Sequence, residues 1–244
     1  MKPILLIPLA LTFAATLPAE DVLIVADEIP AMEVLAKQFQ NRTGKTSRIV
    51  KQTDLPASLT PFKTVAVYIH KDIDAGPEHA FLDYLNGGGK LLLLHHSISS
   101  GKRKNKDWLP AFQITLPTTP FENGGYKYFD PVTFDVVNLA PGSAITTSKV
   151  HYTKKVSYQG RELDAFTVAN SEIYLNHQFD GPRTKLLGIK WTDPKSGKTY
   201  EQDTGGWYKK VGKGEVYYFM VGHNAADFDN DPYAQILANV LEAK

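Results

Sequence analysis

The chain has 244 residues, 43% hydrophobic and 22% charged, enough for a sizeable buried core and too apolar for a disordered segment. Its 27 Lys and Arg against 26 Asp and Glu leave a formal net charge of +1, which offers no electrostatic case for a nucleic-acid partner. The absence of cysteine removes disulfides, thiolate nucleophiles and cysteine metal sites, so the core must hold the fold alone.

Residues 1–19 combine Lys2, the apolar run Ile4 to Ala15 and a small residue, Ala19, before Glu20. This is the pattern of a cleaved signal peptide. The run is too short for a membrane span, which needs about 20 apolar residues. The expectation is a mature chain from residue 20 to 244, a single α/β domain exported to a periplasm or beyond.

Val22 to Ala26 read as a short buried strand with Asp27 and Glu28 at its carboxyl end, and Met32, Leu35, Ala36 and Phe39 fall at helical spacing behind Pro30. Thr46 to Lys51 and Lys63 to His70 read as further strands, and Pro77 to Asn86 as a helix stopped by Gly87-Gly88-Gly89. Lys90 to Leu94 then run straight into His95-His96-Ser97. Strand, helix, strand at this pitch predicts a doubly wound, mostly parallel sheet, because parallel neighbours need a crossover that a helix usually supplies.

From Gly101 to about Phe166 the text is rich in turns and short alternating runs, which predicts a strand- and loop-rich middle insertion lying over the sheet. Within it, Lys102-Arg103-Lys104-Asn105-Lys106 reads as a solvated loop. Lys185 to Trp191 returns to a buried strand, and Asp193 to Lys198 predicts a hairpin turn. Glu215 to Val221 forms a last strand that runs into Gly222-His223-Asn224. A final helix opens with Asp231 as N-cap and Pro232 as its first residue.

The two apolar strands that end in histidine are the most informative feature. In a parallel sheet covered by helices, only the carboxyl ends of strands open into a crevice where ligands bind. A histidine there can move a proton, hydrogen-bond a hydroxyl or ligate a metal. His95 and His223 are therefore the candidate proton-transfer groups, with Asp27, His96 and Asn224 as polar binding groups at the same strand ends. Glu172 and Tyr174, two apart on an extended segment, point the same way and supply a general base and a hydroxyl anchor. Gly205-Gly206-Trp207-Tyr208 places Trp207 as a stacking platform for a sugar ring, although tryptophan is an equally good core residue. Ser97 lacks the flanking glycines of a nucleophile elbow, and Asp227 to Asp231 fails as a calcium loop because Pro232 and Ala238 stand where glycine and glutamate are needed.

Taken together, four features resemble the ThuA-like trehalose-utilisation family: the glycine-rich turn and strand ending at His95; Ser171-Glu172-Ile173-Tyr174; Trp207-Tyr208 followed by Gly212-x-Gly214-x-Val216-x-Tyr218 to Gly222-His223; and Phe228 with Pro232-Tyr233 on the last helix. The resemblance implies a flavodoxin-like fold related to class I glutamine amidotransferases without their cysteine, and a role in bacterial sugar use that includes 3-keto-sugars. It carries over to His95, Glu172, Tyr174, Trp207 and His223. Members usually have Asp where this chain has Ser171.

The expectation is an exported carbohydrate-active protein that acts on or binds a sugar or 3-keto-glycoside by His/Glu acid–base chemistry, with no cofactor. Two alternatives are a non-catalytic sugar-binding module and a metal-dependent hydrolase, since His95, His96, His223 and Glu172 are ligand types zinc accepts.

Overall fold

The computed structural model describes residues 21–243. The expected signal peptide over residues 1–19 lies outside the described residues. Among these residues, twelve strands and six α-helices follow in chain order. The first half holds β1 (Val22–Ala26), α1 (Ile29–Thr43), β2 (Ser47–Val50), β3 (Thr64–Tyr68), α2 (Ala75–Asn86), β4 (Lys90–Leu94), α3 (Trp108–Ala111), β5 (Ile114–Thr115) and β6 (Lys127–Asn138). The second holds α4 (Ala144–Thr147), β7 (Lys154–Tyr158), β8 (Arg161–Leu175), β9 (Gln178–Phe179), β10 (Thr184–Thr192), β11 (Thr199–Val211), β12 (Gly214–Phe219), α5 (Ala225–Phe228) and α6 (Asp231–Glu242).

Ten strands form one sheet in the order β2-β1-β3-β4-β12-β11-β10-β6-β8-β7. The first five are parallel to one another. This is the flavodoxin-like order, with its switch point between β1 and β3. The direction in which strands are added to the sheet reverses there, so the right-handed crossovers through α1 and α2 fall on opposite faces. α1 packs against α5 and α6, and α2 against α3.

β1, β3 and β4 are buried at every position, as strands covered on both faces must be. Each fully buried Leu or Ile contributes about 1.5–3 kcal/mol, which is where the stability of this half resides. Lys90 is a polar exception at the start of β4. Its ammonium donates to the carbonyls of Val240 and Ala243 at the end of α6, and burial lowers its pKa to about 8.

The middle of the chain is strand- and loop-rich as expected, but it does not lie over the sheet. From β12 outward β11, β10, β6, β8 and β7 each pair antiparallel, so the segment extends the same sheet edge to edge. Two more details differ from the sequence expectation. Asn230, not Asp231, is the N-cap of α6. Lys102 is buried, and its ammonium donates to the carbonyls of His70 and Lys71, tying the chain after β4 to the loop after β3. No helix among the described residues is long and apolar enough to cross a membrane.

β12 enters the sheet through a close approach. A Cβ on Gly214 would lie 2.1 Å from the Leu85 carbonyl oxygen and 2.4 Å from that of Gly89, both backbone atoms that cannot yield cheaply. Gly214→Ala is therefore expected to lower stability by roughly 1–3 kcal/mol in urea unfolding. Gly142→Ala, where a Cβ meets nothing within 4 Å, should stay within about 0.5 kcal/mol of the parent.

Candidate functional site

The site lies where the parallel and antiparallel halves meet, over the carboxyl ends of β4 and β12. Leu94 ends β4 and His95 turns sharply into a 3-10 helix at φ 39°, a left-handed conformation that non-glycine residues rarely hold. The turn drives the His95 ring inward, where it is 0% exposed. β12 ends one residue before Met220. At Gly222, φ is 129° and a Cβ would sit 2.7 Å from the Phe228 ring, so only glycine makes the turn that presents His223.

The third wall comes from β8 and β6. Glu172 and Tyr174, two apart on β8, face the same side. Tyr128 on β6 pairs directly across from Tyr174, and cross-strand partners share a face, so Tyr126, Tyr128 and Asp130 follow one another along that face.

These elements converge on the Glu172 carboxylate, whose side chain is 9% exposed. Its Oε2 lies 2.9 Å from His95 Nε2 and 3.5 Å from His223 Nδ1. The Tyr174 hydroxyl is 3.1 Å from His95 Nε2 and 3.0 Å from His96 Nδ1. His95 Nδ1 is spent on the Met220 carbonyl, and because a carbonyl only accepts, that nitrogen carries a hydrogen. His223 Nε2 reaches Asp130 at 3.7 Å. His96 stacks on His70 with ring centroids 4.0 Å apart, and His70 bonds Glu28, which also accepts from Tyr68.

The electrostatics follow from burial and pairing. Burial by itself would raise the Glu172 carboxyl, but the contacts with His223 and His95 outweigh it and hold the group well below the usual carboxylate range. The Glu172 carboxylate raises the His223 imidazole against an opposing burial effect. Burial, reinforced by neighbouring histidines, lowers His96 far enough to keep it neutral. Burial raises the Tyr174 and Tyr126 phenols, so both remain hydrogen-bond donors.

A pocket of about 330 Å³ opens over this floor, lined by Glu172, Tyr174, His96 and His223 below and by His70, Tyr126, Tyr128 and the Ser99–Gly101 turn at its rim. It is at the small end of ligand sites and fits a compact polar molecule. Tyr128 is 58% exposed, the one large hydrophobic residue so exposed among those described. The four residues His95, His96, Glu172 and His223 each place one nitrogen or oxygen ligand atom within 4.8 Å of the others, a group that can hold a metal ion. Glu28, His70 and His96 form a second, more open group.

Of the residues expected from sequence, His95, His96, Glu172, Tyr174 and His223 are brought together, but His95 stands behind Glu172 and does not line the pocket. Three others are placed differently. Trp207 is 0% exposed between Phe179 and Tyr218, with ring centroids 5.6 Å away on each side; it is a core residue and cannot stack on a ligand. Asn224 caps α5, accepting from the Asp227 amide and donating to the Asn170 carbonyl, so both ends of its amide are committed. Asp27 accepts from the amides of His70 and Lys71 and shapes the loop after β3. Ser97 donates to the Val67 carbonyl at 2.6 Å and is buried, which disposes of a serine nucleophile. Ser171 points away from the pocket and donates to Asp227 at 2.6 Å; the same Asp227 oxygen accepts from the His223 amide at 2.8 Å.

His70, Tyr126, Tyr128 and Asp130 were missed. His70 carries a readable signal, since it follows a parallel strand just as His95 does.

No protein-family model and no curated protein sequence matches the chain. Among solved structures, the chain is similar to a Bacteroides uniformis protein provisionally described as ThuA-like, at 16% identity and a TM-score of 0.61, over 94% of this chain and 93% of that one. It is also similar to a cytoplasmic protein of Salmonella typhimurium, at 12% identity and a TM-score of 0.56, over 91% and 98% of the two chains. The cold-adapted β-galactosidase of a Rahnella strain matches at 11% identity and a TM-score of 0.53, over 88% of this chain but 30% of the enzyme. At these identities the likeness is one of fold, and the protein has the α/β fold implied by the ThuA-like resemblance.

Two substitutions test the placement of these groups. Ser97→Ala should cost about 1 kcal/mol in urea unfolding and leave ligand binding in the pocket unchanged by calorimetry. Asp227→Ala leaves the Ser171 hydroxyl and the His223 amide without an acceptor and should cost roughly 2–3 kcal/mol, with the His223 ring signals displaced in NMR spectra.

Proposed function

We propose that the protein is a carbohydrate-active enzyme that takes one sugar ring, in the form of a 3-keto-glycoside, into the pocket above Glu172. The observation that carries this reading is a buried carboxylate, held ionised by imidazoles, that opens onto a small pocket with phenols at its rim. Sugar rings present hydroxyls to polar groups and C–H faces to aromatic rings. Tyr128 offers such a face, and the Tyr126 side chain lines the pocket beside it. The likeness in fold to a ThuA-like protein and to part of a β-galactosidase supports the same substrate class.

A ketone at C3 acidifies the C2 hydrogen. Glu172 removes that proton, and the electron pair moves into an enolate on the C3 oxygen. Collapse of the enolate forms a C1–C2 double bond and breaks the bond from C1 to the leaving oxygen, which His223 protonates. His95 touches none of the reacting atoms. It acts through Glu172, fixing the carboxylate against Tyr174 as a positioning residue. The leader over residues 1–19 belongs to the same proposal: expressed at full length in a Gram-negative host, the exported protein should begin at Glu20 by N-terminal sequencing.

Incubation with a chromogenic 3-keto-glucoside should release the aglycone, and Glu172→Gln should lower kcat/KM by at least about 100-fold. Tyr128→Ala should raise KM by roughly 3–10-fold with little change in kcat, the loss of one aromatic contact. If neither turnover nor calorimetric binding appears with any keto-glycoside or disaccharide, the reading is wrong. Binding without turnover would make the protein a sugar-binding module.

A further inference from the structure

We infer that His95 Nε2, Glu172 Oε2 and His223 Nδ1, with His96 at the edge of the group, form a binding site for one borderline first-row divalent cation of the zinc class. The argument is a count of hydrogens. His95 Nδ1 donates to the Met220 carbonyl, so in the neutral ring the Nε2 atom presents a lone pair, and it does so 2.9 Å from a carboxylate oxygen. His223 Nδ1 presents a second nitrogen to the same oxygen at 3.5 Å, long for a hydrogen bond, and has no other partner among the described residues. The Tyr174 hydroxyl, with a single hydrogen, lies within reach of both His95 Nε2 and His96 Nδ1. With the rings neutral, lone pairs face one another at the centre of the group, and a single cation placed there would be shared by all of them.

The geometry matches a cation in that position. A tetrahedral ion with bonds of about 2.1 Å needs ligand atoms roughly 3.4 Å apart, and the two contacts at 2.9 and 3.5 Å bracket that spacing. The bond from His95 Nδ1 to a backbone carbonyl is the outer contact that orients metal-bound imidazoles. Imidazole and carboxylate without thiolate favour zinc, cobalt or manganese over soft ions. The pocket lies on the open side of the group, so one position remains for a ligand, and a single sugar oxygen, a hydroxyl or a ketone, is the class that fits it. The inference rests on the carbohydrate reading only for that last point.

The test uses full-length protein purified without a polyhistidine tag, stripped with chelator, dialysed and titrated with Zn²⁺ by calorimetry, with Co²⁺ absorption as the second readout. One ion per chain is expected, with a raised melting temperature and visible Co²⁺ bands of a site with nitrogen and oxygen ligands. Glu172→Gln and His223→Ala should each weaken binding by at least about 100-fold, while His79→Ala and His151→Ala, both exposed and outside the ligand group, leave it unchanged. His223 is partly exposed, so its variant keeps the test open if substitution of the buried Glu172 unfolds the chain. Absence of stoichiometric binding, or binding that survives both site variants, overturns the inference. Assaying the chelator-treated protein on the keto-glucoside separates the two readings. Turnover without metal binding removes the ion alone, and metal binding without any carbohydrate response removes the carbohydrate reading alone.

Discussion

Burying the Glu172 carboxylate costs several kcal/mol unless its charge is matched, and the arrangement around it answers that requirement. Two imidazoles come from the ends of β4 and β12, and a phenol comes from β8 itself. None of these groups is adjacent in sequence. The carboxylate can be held only if the parallel half and the antiparallel half are joined in the register observed, with β12 between β4 and β11. The site and the seam of the sheet thus stabilise or fail together.

Around this centre lie groups that hold the frame without facing the pocket. Asp227 binds Ser171 on β8 and the His223 amide after β12, so one buried acid links two walls of the site from behind. Ser171 serves this contact from β8, its hydroxyl donating to Asp227. Lys102 performs a similar task on the other side, pinning the loop that carries His70. A rigid outer frame of this kind is what keeps a small polar pocket preorganised.

Much of the parallel half was legible because its physics is local. An apolar run such as Leu91 to Leu94 must be a buried strand, and a histidine at its end must sit at the crevice, so His95, His96 and His223 could be read directly. The alternation that puts Glu172 and Tyr174 on one face is equally local. Tyr126, Tyr128 and Asp130 were not legible, because their place depends on β6 pairing with β8 across more than forty intervening residues, a register that periodicity does not encode. Trp207 shows the opposite error. Gly205-Gly206 marks room for close approach, but the glycines accommodate Phe219 and the backbone of β10, and the tryptophan behind them fills the core. Asn224 followed three residues later by Asp227 is a capping box that could have been read as such.

The central claim is that Glu172, His95 and His223 act as one coupled unit. A double-mutant cycle on stability, built from Glu172→Gln, His95→Gln and the pair, measures this most directly. The account predicts a coupling energy of about 1–3 kcal/mol, the double variant being far less destabilised than the sum of the single ones. Additive effects within about 0.3–0.5 kcal/mol would contradict it.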